Sequence, residues 1–354
     1  MINAAIVGLG RWGQNLVNSI QGRSDKIRIV AGATRTVAKA ADYAKKQGFP
    51  LHDAYEKVLA DPSIDAIVLA TPHTQRVALI TAAAAAGKHV FTEKPLSLTL
   101  RDAQTCVKTC ADHNVTLAVG YNWRFQPALQ EIRRMLDDGR LGKLLHIEGN
   151  FCGPSVYRFT ADHWRLDREE GPAGGMTGRG VHVVDAMLHL GGEIDSVFAQ
   201  SRRLAHDYGI DDTTSMLFHF RGGATAYLAT VIATAETWRM QIFGANGWVE
   251  VGDVEHLTTW QMRVCLIDPD NLRNKARPQV ISFPEISTER AELEHFAEAA
   301  AAGKPLALAD GDEVHGVADF EAILASSKKG RRVKVARHAP VKRPAIKKPP
   351  ARKK

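Results

Sequence analysis

Six residues near the start of the chain restrict its fold more than any others. They are Gly8-Leu9-Gly10-Arg11-Trp12-Gly13, directly behind the apolar run Ala4 to Val7. The spacing Gly-x-Gly-x-x-Gly carries weight where it follows a strand, opens a helix and sits in a βαβ unit. In that setting Gly8 permits a tight turn, Gly10 lets the backbone approach a pyrophosphate, and Gly13 lets helix and strand pack closely. The helix start then offers unpaired N–H groups and a partial positive charge to phosphate. A merely structural glycine turn is the alternative. The setting favours a dinucleotide site, with Gly8, Gly10, Arg11, Trp12 and Gly13 as its cofactor-binding residues.

The next hundred residues supply that setting. Apolar strands are predicted at 3–8, 27–32, 65–70, 88–92 and 115–120. Between them lie helical segments such as Thr36 to Gln47 and Arg76 to Ala86, and Thr99 or Ser97 can cap a helix running to about Asp112. The run Ala82 to Ala86 suits a helix lying close on a sheet. Strands apolar on both faces, alternating with helices, predict an α/β fold with a doubly wound parallel sheet.

After Gly120 the rhythm changes. Helices are predicted near 127–138 and 177–190, with a strand at about 143–150 and a Gly- and charge-rich loop at 160–175. Strand-like runs follow at 194–204, 213–221, 224–233, 238–244 and 247–251, with Gly222-Gly223 and Ala245-Asn246-Gly247 between neighbours. Glycine turns between alternating runs predict antiparallel hairpins. Helices at 287–302 and about 311–327 close the body. The expected domains are therefore 1–121, a dinucleotide-binding domain; 122–336, an α+β domain with an open, mostly antiparallel sheet; and 337–354, a disordered basic tail.

Composition narrows the function classes. At 354 residues and 45% hydrophobic content, the chain can bury a large core and divide into two domains. No run approaches the eighteen or so apolar residues of a membrane span, and no signal-like segment opens the chain. Cys106, Cys110, Cys152 and Cys265 form no CxxC pair and read as buried small hydrophobes, so a reducing cytoplasm is the expected compartment. The net charge of +7 is a property of the tail. Residues 337–354 hold eight Lys and Arg and no acid, leaving 38 of the 46 basic residues against 39 acids. The tail suits either salt-sensitive contact with nucleic acid or an anionic surface, or a silent solubilising role. The 14 histidines are scattered, and no set has metal-ligand spacing.

Several residues are candidates for chemistry. An NAD site usually places an acid at the end of the second strand. Here the chain reads Ala33-Thr34-Arg35-Thr36, and Thr34 and Arg35 suit a 2′-phosphate. NADP(H) is therefore expected in preference, with NAD(H) possible; a solvated arginine is the alternative. Thr71-Pro72-His73 follows the fourth strand, at the carboxyl edge where such sheets bind ligands. His73 either touches cofactor or substrate or is an ordinary loop histidine. Glu93-Lys94-Pro95 ends the fifth strand, so Glu93 and Lys94 border the cofactor and Lys94 is placed to donate to a substrate oxygen. Oxidising an alcohol also needs a proton acceptor. His182 fits that need, and Asp185, three residues on, shares its helix face. Arg179, a turn before His182, either grips a substrate carboxylate, tending to depress the histidine pKa, or pairs with a surface acid. Tyr157, Trp164 and Arg165 in the preceding loop either shape the pocket or pack as aromatics.

The set GLGRWG, EKP, GYNWRF (Gly120 to Phe125) and GG…GVHVVD resembles the Gfo/Idh/MocA family of NAD(P)-dependent oxidoreductases, in order over nearly all of residues 1–336. The resemblance implies a Rossmann domain followed by an α/β domain whose open sheet often mediates assembly, here a homodimer or homotetramer. It implies small-molecule substrates such as sugars, inositols or dihydrodiols. It places the family lysine at Lys94, often before a cis proline, the helical histidine at His182 and a following acid at Asp185. Asn122 and Arg124 match polar residues at the domain junction, assigned with Lys94, Arg179 and His182 to substrate binding. Two positions depart from the pattern. Gly178 stands where full catalytic sets carry an acid, which Asp185 or Asp162 would have to replace in part. Arg76 stands where a histidine is frequent. A non-catalytic dinucleotide-binding regulator is the alternative function.

Overall fold

Strands that are apolar on both faces need cover on both, and the first sheet has it. The computed structural model describes residues 1–270, 272, 276–304 and 312–337. Six strands, β1 (Ile2–Val7), β2 (Ile27–Ala33), β3 (Leu51–His52), β4 (Ala66–Leu69), β5 (His89–Glu93) and β6 (Leu117–Gly120), form one sheet in the order β3-β2-β1-β4-β5-β6. Every pairing is parallel. The order reverses between β1 and β4, the switch point beside which nucleotides bind in such sheets.

Alternate residues of each strand feed opposite cores. Ala5, Val7, Ile67, Leu69, Val90, Leu117 and Val119 pack under α3 (Tyr55–Ala60), α4 (Arg76–Ala85) and α5 (Leu100–Asp112). Ile2, Ile6, Ile27, Ile29, Val68 and Phe91 pack under α1 (Arg11–Ile20), α2 (Ala41–Gln47) and a helix from far along the chain, Thr288–Ala301. The alanine run sits where expected, with Ala83 and Ala84 in the core. Of the two candidate caps on α5, Thr99 serves, its hydroxyl accepting from Asp102 N at 3.2 Å. All four cysteines are free and buried, and burial pushes the Cys106 thiol up to about 12.

The second sheet has nine strands: β7 (Leu144–Cys152), β8 (Ile194–Arg202), β9 (Thr213–Phe220), β10 (Thr225–Val231), β11 (Thr237–Gly244), β12 (Gly247–Asp253), β13 (Gln261–Leu266), β14 (Gln279–Ser282) and β15 (Val333–Lys334). Their order is β14-β13-β12-β11-β7-β10-β9-β8-β15. The pairing is antiparallel except where β10 lies parallel to β7. One face is buried and the other open: along β9, Thr214, Met216, Phe218 and Phe220 are buried while Leu217 and His219 are exposed. Two helices accompany this sheet, α6 (Pro127–Asp137) and α7 (Val181–Gly191). A Cβ at Gly149 would meet Val183 Cγ1 at 2.6 Å, so a bare backbone in β7 lets α7 lie close. The expected helix 177–190 begins later than the sequence suggested. Met176–Gly180 forms a π-helical turn first, rich in glycines that weaken ordinary helix.

The returning helix Thr288–Ala301 is α8, and α9 spans Asp312–Lys329. Ser287 caps α8 by accepting from Arg290 N at 3.2 Å. The chain forms two compact units, Met1–Asn122 with Ser287–Val317, and Trp123–Ile286 with Ala318–Arg337. Sequence reading grouped α8 with the second domain, but its Leu293, Phe296, Ala297 and Ala300 complete the first unit's core. The expected basic tail lies, beyond Arg337, outside the described residues. No helix among the described residues is long and apolar enough to cross a membrane.

Candidate active site

In the first unit the glycine turn has the geometry its spacing predicts. Gly8 adopts φ +92°, and a Cβ there would meet Ala70 O at 2.6 Å, so the turn after β1 closes only around glycine. At Gly13 a Cβ would collide with the Gly8 carbonyl, which gives helix and turn their close contact. Gly10 is different: a Cβ there would meet nothing within 4 Å. The space above its backbone is open, at the start of a helix with neither a capping side chain nor an acid in its first turn. Such a helix start holds a phosphate through N–H groups and the helix dipole. These residues fit a dinucleotide pyrophosphate. At the end of β2, Thr34 is half-buried and Arg35 exposed.

Trp12 and Glu93, both expected at the cofactor, bond to each other. The Trp12 indole Nε1 donates to Glu93 Oε1 at 2.5 Å. Burial pushes the Glu93 carboxyl above the usual carboxylate range, and the neighbouring Lys94 charge, the indole hydrogen bond and Arg76 oppose that rise. Gly120 makes room for this carboxylate, since a Cβ there would meet Glu93 Oε1 at 3.0 Å. Lys94 is half-buried and the Lys94–Pro95 peptide is cis. Thr71 is buried, Pro72 follows it in extended conformation, and His73 opens a short 3-10 turn. Arg76 is a participant that sequence reading discounted. Its buried guanidinium donates to Thr71 O, Glu93 O and Pro95 O. Asn122 is buried and donates to Thr288 Oγ1 at 3.1 Å.

In the second unit His182 is 5% exposed on α7 and stacks on Trp123, centroids 5.4 Å apart and planes 23° apart. Trp123 also packs on Trp238 at 4.6 Å, and its Nε1 donates to His256 Nδ1 at 3.0 Å. That bond fixes the acceptor nitrogen of His256, whose ring centroid lies 5.9 Å from that of His182. Nothing in the sequence marks His256, a lone histidine in a polar loop after β12.

Three of the expected site residues are held in ion pairs within this unit. Asp185, expected as a proton-relay acid, and Arg124, expected at substrate, are committed to each other: Arg124 Nη2 and Nε donate to the Asp185 carboxylate at 2.7 and 2.9 Å, with side chains 6% and 3% exposed. A buried bidentate pair on α7 orients the helix that carries His182. Arg179, expected to hold a substrate carboxylate, donates to Glu236 Oε1 at 2.6 Å, Cys152 O at 2.7 Å and Ser155 Oγ at 3.2 Å, and lies over the Phe151 ring. The surface-acid alternative describes it. Asp162 is exposed, and a hydrogen bond from Thr160 holds its carboxyl below the usual range. In the same loop the Arg165 guanidinium lies over the Trp164 and Phe159 rings. At Gly178 a Cβ would meet nothing within 4 Å.

With these geometries in hand, similarity to known proteins becomes informative. Residues 2–121 match the oxidoreductase family with an NAD-binding Rossmann fold, and residues 129–250 match the GFO/IDH/MocA C-terminal domain. The chain is 29% identical to scyllo-inositol 2-dehydrogenase (NAD(+)) of Bacillus subtilis, over 72% of this chain and 75% of that protein. It is 27% identical to D-xylose 1-dehydrogenase (NADP(+)) 2 of Haloferax volcanii, over 86% and 90%. Among solved structures, aldose-aldose oxidoreductase from Caulobacter crescentus aligns with TM-score 0.83 and 25% identity, covering 94% of this chain and 99% of that one.

The Arg124–Asp185 pair yields a stability prediction. Asp185→Ala, which leaves a buried guanidinium without its carboxylate, is expected to cost about 3–5 kcal/mol. Arg124→Met combined with Asp185→Leu should recover much of that. Urea unfolding of the parent and these two variants checks it; a double variant no more stable than Asp185→Ala would contradict the pairing.

Proposed function

Because the chain belongs to the GFO/IDH/MocA family of NAD-binding oxidoreductases, we propose that it reversibly oxidises a secondary alcohol of a sugar, inositol or related cyclic substrate. One observation carries this reading. The nucleotide turn after β1 and the lysine turn after β5 leave the same edge of one parallel sheet, joined by the Trp12–Glu93 bond.

When bound, a nicotinamide cofactor accepts or donates the hydride. Gly8, Gly10 and Gly13 hold its pyrophosphate at the start of α1, and Thr34 and Arg35 face its adenosine ribose, favouring NADP(H). Thr71, Pro72 and His73 border the site at the end of β4. The Lys94 ammonium donates to the substrate oxygen and steadies negative charge as it develops. His182 takes or returns the hydroxyl proton, its ring oriented by Trp123. Asp185 acts on His182 only through the helix that it and Arg124 hold. Asn122, buried with one amide nitrogen on Thr288, contributes to substrate binding. The protein assembles as a dimer or tetramer through the open face of the second sheet, where Phe198, Leu217 (51% exposed) and Tyr227 stand in cross-strand register.

A second reading, cofactor binding without turnover, is favoured by one observation: Gly178 supplies no carboxylate, and Asp185 is committed to Arg124. A panel of cyclic alcohols with NADP+ and carbonyls with NADPH separates the two.

Three outcomes are expected. Lys94→Ala lowers kcat by about 10²–10⁴-fold with cofactor affinity largely intact; full kcat would remove Lys94 from the mechanism. Arg35→Asp shifts kcat/KM from NADP toward NAD, and an NAD preference already strong in the parent would overturn the cofactor assignment. Gly178→Asp fits the open space at that position and raises kcat, whereas a folded variant with no gain would show that the relay acid is dispensable here.

A further inference from the structure

We infer that Arg76 is the positioning residue for Lys94, its guanidinium holding the backbone on both sides of that lysine. The inference rests on Lys94 being the group that acts on the substrate oxygen. Arg76 opens α4, yet its side chain runs inward and the residue is 3% exposed. Nε and Nη2 donate to Thr71 O at 3.3 and 3.1 Å. Nη1 donates to Glu93 O at 2.6 Å and to Pro95 O. One side chain thus bonds three carbonyls from two chain segments, and two of those carbonyls belong to the residues flanking Lys94.

The carbonyls need such a partner. Peptide groups that run past the end of a parallel sheet lose their ladder donors, and a buried carbonyl without a donor costs free energy. Water is not at hand around a side chain this buried. Guanidinium has five N–H donors in a fixed planar fork, so one residue satisfies all three acceptors and fixes their mutual geometry. The charge is compensated locally by carbonyl dipoles, and Arg76 in turn opposes the rise that burial imposes on the Glu93 carboxyl. Glu93 is held twice, at its carbonyl by Arg76 and at its carboxylate by Trp12. The Lys94 backbone cannot turn without breaking one of these bonds, so the lysine stem starts from a fixed point.

A histidine, the residue that the family resemblance leads one to expect here, offers one ring donor when neutral and two when charged. It cannot reach all three carbonyls. Arg76 is therefore this chain's own solution for holding the turn, and the departure from the family pattern strengthens the lysine's placement.

The test uses the full chain with Arg76→Ala, Arg76→Lys and, for comparison, Lys94→Ala. With a substrate found by the screen, Arg76→Ala is expected to lower kcat about 100-fold, the loss that follows a displacement of about 1 Å, while KM and cofactor Kd stay within about 3-fold. Guanidinium chloride at about 10 mM, far below unfolding concentrations, should restore about 10-fold of that activity to Arg76→Ala and none to Lys94→Ala. Arg76→Lys, with fewer donors, should fall between parent and alanine variant. Unchanged kcat, or loss of kcat and cofactor binding together without guanidinium rescue, overturns the proposal. A second readout is independent of turnover. Carbon-13 reductive methylation gives Lys94 a resonance, assigned by its absence in Lys94→Ala. A distinct parent shift that moves to the solvent-exposed lysine position in Arg76→Ala supports the brace; an unmoved shift overturns it. Should the parent turn nothing over, the enzymatic reading fails while this resonance still decides the brace. If Arg76→Ala does not fold, Arg76→Lys carries the same measurements.

Discussion

The close approach of two strand ends governs the first unit. Gly8 N bonds Ala33 O at 3.0 Å and Ala70 N bonds Val7 O at 2.8 Å, so β1 leaves the sheet wedged between the ends of β2 and β4. Only a residue without Cβ tolerates the Ala70 carbonyl at that distance. From this contact follow the direction of α1, the open backbone at Gly10 and the position of Trp12. The indole then reaches the end of β5. A single steric condition at one glycine is in this way transmitted to the lysine turn by a chain of hydrogen bonds.

The second unit solves a different problem. His182 is buried, and its ring is held in one orientation. Its helix is buried on nearly every side, which removes the usual amphipathic choice of orientation. The Arg124–Asp185 pair and the Trp123 stack supply the missing orientation by polar geometry and ring packing. The cost of desolvating that ion pair is offset by a bidentate fit. Arg179, a turn earlier, does similar work for the β7 end and the Ser155 loop through Cys152 O, Ser155 and Glu236.

Much of this was legible in the sequence, for identifiable reasons. The strands of the first sheet announce themselves because burial on both faces demands uninterrupted apolar runs, and the glycine turn because its sterics admit no other residue. The two-residue strand β3 and the closing strand β15 carry too little pattern to read. β14 escapes because an edge strand keeps polar, exposed residues such as Gln279, and β13 beside it because its exposed positions are the polar Gln261 and Arg263. At the candidate site, motif context singles out Lys94 and His182, but it does not give the partners of Arg124, Asp185 and Arg179. Which carboxylate an arginine meets depends on distances across a folded core, between residues 61 and 57 positions apart in the two cases. Arg76 was discounted because it broke a pattern, when the break was itself informative.

The return of α8 to the first sheet carries a consequence for biogenesis. Phe296 packs on Phe91 at 5.8 Å, and Leu293 and Phe296 are wholly buried in a core whose other strand and helix residues lie between Ile2 and Ala118. Burying two such side chains is worth about 3–6 kcal/mol. A nascent chain halted after Asn122 therefore has all six strands of the nucleotide-binding sheet, yet one of its faces is covered only by α1 and α2. That half begins at the chain's first strand yet cannot complete its core until α8, which ends at Ala301, has been synthesised.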